Sequence, residues 1–270
     1  MATSAWQIEG ASDQRGVCVW DHARCRAGYN AAAHVDNYAE DVARLEHMDV
    51  NAYRFSIAWT RLWPDGDALK TPQPEGVEFY RALLRALRAK GIRATVTLFH
   101  WDYPLALEQR GGWMNPCSVR WFETYAMECE KLFGDMVDSW ITFNEPWTYV
   151  VHGHCTNAHA PFGGGDVYRI AHHILLAHAR AYRTIKRRHH ARPVYMSLNV
   201  DWLEPASAHP GDAAAQLRAL AYTVGWFADP VFHGDYPSEM RTRLGDRLPR
   251  FDAADRIKGT CDCMLSLIHI

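Results

Sequence analysis

Apolar runs of strand length alternate along nearly the whole chain with stretches whose apolar residues recur every three to four positions. Strands are predicted over 50–57, 92–99, 137–143 and 193–200. Helices are predicted over 38–48, 76–90, 118–133, 168–188 and 213–227. Val42 and Leu45 share one face of the first helix, and Phe79, Leu83, Leu84 and Leu87 one face of the second, with Gly91 placed to cap it. Repeated strand–helix units predict parallel strands joined by crossover helices, as an open doubly wound sheet or a closed barrel.

The polar residues in this pattern favour the barrel. Arg54, His100, Trp101, Asn144, Glu145 and Asn199 are all expected at or just past the C-terminal end of a strand, the rim that carries the active site of a (β/α)8 barrel. Each has an ordinary structural explanation: Arg54 pairing with a core carboxylate, His100 as a satisfied core histidine, Asn199 capping a turn. Four successive strands repeat the arrangement. Glu145 is the most informative of the set, because Pro146 cannot donate to a sheet ladder and should stop the strand beside it. A carboxyl at a strand's rim, with an amide neighbour and aromatics nearby, suits general acid/base work.

Composition excludes several alternatives. The 270 residues are 48% hydrophobic with a formal net charge of −2, so neither nucleic acid nor an anionic membrane is expected as partner. The basic cluster Lys186, Arg187, Arg188, His189 and His190 reads as a solvated helix C-terminus. No apolar stretch approaches the roughly 20 residues of a membrane span, and residues 1–6 lack a signal peptide's basic and apolar regions. Cys18, Cys25, Cys117, Cys129, Cys155, Cys261 and Cys263 form no paired framework, which implies reduced thiols in a cytoplasmic protein. Cys261 and Cys263 are too closely spaced for a zinc site, and the 15 histidines include no His-Glu-x-x-His pattern. His172, His173 and His178 are expected to serve packing or the surface. Gly163, Gly164 and Gly165 lack a dinucleotide pattern. No cofactor or metal is expected.

Longer motifs add a family resemblance. Residues 3–11 (TSAWQIEGA), 52–59 (AYRFSIAW), 97–102 (TLFHWD), 142–146 (TFNEP) and 225–230 (GWFADP) run in order, with Trp20-Asp21, His159-Ala160-Pro161 and 234–237 (GDYP) between them. The chain resembles glycoside hydrolase family 1, the β-glucosidase family, over residues 3 to about 262. The resemblance implies a (β/α)8 TIM barrel that hydrolyses terminal β-D-glucosyl bonds with retention of configuration. It implies Glu145 as acid/base, protonating the leaving oxygen and then activating water. That task calls for a carboxyl pKa raised by burial or by a neighbouring negative charge. It further implies Arg54 as the nucleophile's partner, Asn144 on the sugar 2-hydroxyl, and Gln7, His100 and Trp101 as glycone-binding residues. Asn199 is a candidate beside the acid/base, and the partner is a small β-glucoside or oligosaccharide.

The chain also departs from the family. No Glu-Asn-Gly occurs to supply the nucleophile; Glu204 falls in a loop after Leu203, and Glu239 at a helix start. The motif at residues 3–11 stands almost against Met1, which implies a clipped first strand. Residues 1–262 read as a partial catalytic barrel without strands seven and eight. Residues 263–270 read as an atypical end, with non-native coding one explanation for it. Unpaired strand edges would make the chain poorly soluble, and a missing nucleophile would leave it inactive. A 6-phospho-β-glucosidase and a non-catalytic carbohydrate-binding fragment are the competing readings. A metal-dependent hydrolase is disfavoured for want of a ligand cluster.

Overall fold

A computed structural model describes residues 1–22 and 32–267; Cys25 and residues 268–270 lie outside them. Five strands form one parallel sheet in sequence order: β1 Ala52–Ser56, β2 Arg93–Phe99, β3 Ser139–Asn144, β4 Val194–Asn199 and β5 Cys263–Leu267. The main connecting helices are α1 His34–His47, α2 Pro74–Ala89, α3 Cys117–Phe133, α4 Val167–Arg188, α5 Pro210–Leu220, α6 Trp226–His233 and α7 Ser238–Leu244. The four predicted strands are present with ends shifted by one or two residues. Ala2 adds an isolated parallel bridge to Arg54 of β1, held by Thr3 N–H donating to Arg54 O at 2.9 Å and Arg54 N–H to Met1 O at 3.0 Å. The atypical segment after Asp262 is a strand parallel to β4, from Tyr195 opposite Cys263 to Asn199 opposite Leu267.

Alternation along the strands sorts the two faces. Tyr53 and Phe55, then Ala94, Val96 and Leu98, then Val194, Met196 and Leu198 are all buried and meet the helices. The Phe55 ring stacks on Tyr80 of α2 at 6.5 Å, and the Tyr125 hydroxyl of α3 donates to Leu98 O at 3.1 Å. Residues between them face the other side, and there the sheet is concave. Arg54 of β1 reaches Thr97 of β2, Asn144 of β3 and Ser197 of β4. Neighbouring strands lie about 4.8 Å apart, so on a flat sheet β4 would be beyond an arginine's reach from β1. The curvature is that of a barrel wall.

One helical detail departs from expectation. The predicted helix over 213–227 is two helices joined by a wide π-turn, Ala221–Gly225. Gly225 there lies so close to Pro237 that a β-carbon would come within 2.8 Å of its ring, a close approach only glycine tolerates. The cation-rich stretch does end α4: Lys186 Nζ donates to His190 O and Arg192 O at 3.1 and 2.8 Å and pairs with Asp262. His172, His173 and His178 of that helix are buried and serve packing.

Candidate active site

β3 delivers the central residues. Thr142 Oγ1 lies 2.6 Å from His178 Nδ1 of α4, and the Phe143 ring lies 4.4 Å from Phe122 of α3. Two consecutive residues therefore face the helix layer, where a regular strand would alternate. The register between β3 and β4 shifts over this stretch, between Ile141 and Asn144. Such a bulge re-aims the residues that follow it, and here it turns Asn144 to the concave side against Arg54. Glu145 comes next, with φ of +45°, and Pro146 opens the short helical turn Pro146–Val150. Proline suits that first helical position, as its lack of an N–H costs nothing there. Glu145 N–H still donates to Ser197 O at 2.7 Å, which ties the strained residue to β4. A non-glycine residue in the left-handed region costs on the order of 1 kcal/mol or more.

Arg54 organises the concave face. Its Cα sits in the middle of β1 rather than at the strand's end as expected, and its side chain covers the remaining distance. Nε donates to Thr97 Oγ1 at 3.0 Å, Nη1 to Ser197 Oγ at 3.4 Å and Nη2 to Asn144 Oδ1. Burial pulls the guanidinium down to about 10, and the Glu145 charge pushes back; it stays cationic at neutral pH. His100 is held near 3 by burial and then by the Arg54 charge, so it is a neutral imidazole. Its buried Nδ1 has no protein hydrogen-bond partner. Trp101, at φ +76°, donates its indole N–H to Asn144 O at 2.8 Å, which locks the ring beside the bulge.

Asn199, at the end of β4, completes the surroundings of Glu145. With its amide nitrogen toward the carboxyl it donates to Glu145 Oε1 and Oε2 at 3.2 and 3.3 Å, while its oxygen accepts from Thr148 Oγ1 at 3.0 Å. The structure thus brings together Arg54, Asn144, Glu145, Asn199 and Trp101, with His100 beside them. Gln7 stands apart. It is exposed, and among the described residues its side chain hydrogen-bonds only Ser4, at 2.6 Å. Ala5 N–H donates to Ser56 Oγ at 2.7 Å, which places the Gln7 segment at the C-terminal end of β1.

Sequence reasoning missed Thr97, Thr148 and Ser197, small hydroxyl residues whose sole signal is a polar position in an apolar strand or turn. It also missed the support beneath the N-terminal segment. Buried Glu9 accepts from Arg61 Nε at 2.8 Å and from the Tyr80 hydroxyl at 2.6 Å, and Tyr80 in turn accepts from Ala58 N–H at 2.8 Å. Of the two carboxylates considered as nucleophile, Glu204 is exposed and accepts from the Trp202 indole at 2.9 Å. Glu239 sits in the first turn of α7. Among the described residues no group of three or more His, Cys, Asp or Glu could hold a metal ion, and no helix is long and apolar enough to cross a membrane. A cavity of about 590 Å³ lined by Gly165, Tyr168, Arg169, His172 and Arg247 borders none of these site residues.

Known proteins share this architecture. The model of glycosyl hydrolase family 1 matches residues 1–268. β-Glucosidase 42 of Arabidopsis thaliana is 40% identical over 274 residues, covering 95% of this chain and 56% of the relative. β-Glucosidase 25 of Oryza sativa subsp. japonica is 40% identical over 291 residues, covering 97% and 58%. The crystal structure of the rice Os3BGlu6 β-glucosidase superposes with a TM-score of 0.93 at 38% identity, over 99% of this chain and 62% of that one. A family 1 β-glucosidase from the fungus Humicola insolens, solved in complex with glucose, gives 0.93 at 34% identity, over 99% and 62%. The chain spans rather more than half the length of the curated relatives it matches. Its five parallel strands are an arc of their (β/α)8 barrel, and the chain belongs to glycosyl hydrolase family 1.

Proposed function

We propose that the whole protein hydrolyses terminal β-D-glucosidic bonds with retention of configuration, with Glu145 as acid/base. The observation that carries this reading is the placement of the Glu145 carboxyl at the C-terminal end of β3, on the concave face. There it accepts from Asn199 and lies in the field of Arg54. A retaining glycosidase needs one carboxyl that gives a proton to the leaving oxygen and then takes one from water. Asn144, fixed by Arg54 and by the bulge, is suited to a hydroxyl of the sugar. His100, neutral with Nδ1 unpartnered, can hydrogen-bond another. Trp101 offers an apolar face, and Gln7 a further amide from the β1 end. Relatives solved with glucose and with salicin support a glucoside as substrate. Cys18, Cys117, Cys129, Cys155 and Cys261 are free thiols, which supports a cytoplasmic, reducing setting.

Arg54 is the natural partner for a second carboxylate, and in this sequence no Glu-Asn-Gly supplies one. Residues 1–262 are accordingly proposed as a partial catalytic barrel, and the 270-residue chain by itself is expected to turn over no β-glucoside. Assays with an aryl β-glucoside and its 6-phospho form, on this chain and on a full-length form recovered from the source DNA, test both statements. Turnover by the full-length form alone, lost in Glu145→Gln, agrees with the proposal. Turnover that survives Glu145→Gln sinks the acid/base assignment.

A further inference from the structure

Away from Glu145, the cavity of about 590 Å³ lies between the first two turns of α4 and the short turn Gly245–Arg247 that follows α7. That volume is within the range of small-molecule sites, about 300–1,000 Å³. α4 lines it with Tyr168, Arg169, His172 and His173, and the turn lines it with Asp246 and Arg247. The two histidines are each 8% exposed, so this wall is part of the packed fold. His173 Nδ1 lies 2.7 Å from Trp113 O. A carbonyl oxygen only accepts, so Nδ1 carries the proton. Burial holds the imidazole below its usual pKa; it is neutral at pH 7, and Nε2 keeps its lone pair. The bond to Trp113 is the one hydrogen bond of this ring among the described residues, so Nε2 is an acceptor without a donor.

The rim carries charge with no countercharge of its own. Asp166 is occupied as the cap of α4, accepting from Tyr168 and Arg169 N–H, and Asp246 pairs with Arg250 at 3.2 Å. Arg169 and Arg247 are exposed and form no ion pair among the described residues. A cation in the first turn of α4 opposes the helix dipole, so helix stability does not account for Arg169. The guanidinium of Arg247 lies over the Tyr168 ring, 5.6 Å from its centroid, a contact that orders the side chain without using its N–H groups.

We propose that this cavity binds an anionic sugar, a pyranose carrying a carboxylate or a phosphate, with Arg169 and Arg247 on the anionic group and His173 Nε2 accepting from a ring hydroxyl. A simple anion would satisfy the arginines and leave Nε2 without a donor. A neutral sugar would do the reverse. A sugar acid or sugar phosphate satisfies both, and a site built to hydrogen-bond a group discriminates against ligands that lack it. The proposal does not rest on the reading of Glu145.

Calorimetric titration of the 270-residue chain with glucuronate and with glucose 6-phosphate tests it. At least one should bind, and the tighter of the two identifies the anionic group as carboxylate or phosphate. Glucose, acetate and inorganic phosphate should each bind about tenfold more weakly or worse, the effect of losing one hydrogen bond to a charged group. Arg169→Gln and Arg247→Gln should each weaken the sugar anion by about tenfold or more without lowering the thermal midpoint. Proton–nitrogen spectra of the histidine rings, with His173 assigned by its absence in His173→Asn, should show Nε2 unprotonated in the free chain. Its resonance should move on addition of the sugar anion and stay in place with inorganic phosphate. Failure of both sugar anions to bind, inorganic phosphate binding as tightly as glucose 6-phosphate, affinity unchanged in the arginine variants, or a stationary Nε2 resonance would overturn the proposal. Turnover plays no part in these measurements, so their outcome and that of the hydrolase assays are independent.

Discussion

Arg54 donates to side chains on three other strands, a geometry that depends on its planar fork of N–H groups. Lysine offers a compact charge that cannot hold Thr97, Asn144 and Ser197 together. Arg54→Lys should therefore cost about 1–3 kcal/mol, the range for leaving buried polar groups unsatisfied, read as a lower urea midpoint with an unchanged slope. An unchanged midpoint would mean that these bonds contribute nothing net. At this scale the sequence was partly legible. Glu145 announced itself because Pro146 follows it at a strand's end. Asn199 stood out as a polar residue at a strand's end, and the family resemblance made it a candidate beside the acid/base. Thr148 and Ser197 were not legible, because a lone hydroxyl in an apolar stretch has no signature until the chain is folded.

The bulge in β3 and the N-terminal segment show what elements add. Thr142 and Phe143 both face the helices, and that is what turns Asn144 inward; the sequence reads as a plain alternating strand with no mark of the irregularity. Likewise the apolar spacing of 213–227 continues through Ala221–Gly225, so nothing in the pattern betrays the wide turn. The N-terminal segment is held by the buried Glu9–Arg61 pair. Arg61→Met would leave the Glu9 carboxylate buried with Tyr80 alone, at a cost of about 3–5 kcal/mol. Thermal melts should show this as a large drop in midpoint; a change within error would place the pair outside the stable core. Asp166 caps α4 by accepting from Tyr168 and Arg169 N–H at 3.0 and 3.2 Å, and Asp166→Ala should cost about 1 kcal/mol.

For the whole molecule, burial of histidines sets the response to acid. His100 is held near 3, and His154, His172 and His178 near 4, each chiefly because burial disfavours the cation. Their unfolded value is about 6.5, so between the two the unfolded chain binds the extra protons. This stability is full above about pH 6.5 and is lost as pH falls toward 4. Asp102 and Glu108, both raised by burial to about 7, act in the opposite sense over that window. His159, His173 and His189 are also lowered, and Glu130 and Asp229 also raised; the histidines outnumber the acids, so the urea midpoint should be lower at about pH 5 than at about pH 6.5. An equal or higher midpoint at the lower pH would show that these histidines are protonated in the fold. The sheet among the described residues is not closed, with β5 at one edge and β1, bridged only by Ala2, at the other. Open parallel edges favour self-association, and sedimentation should show the chain associating as concentration rises. Glu145 is proposed as one half of a two-carboxylate site, and no Glu-Asn-Gly in this sequence supplies the other half. Initial rates on an aryl β-glucoside test it most directly. The 270-residue chain should show no turnover, and turnover by the full-length form should fall about 100- to 10,000-fold in Glu145→Gln. Turnover by the 270-residue chain, abolished by that same substitution, would contradict it.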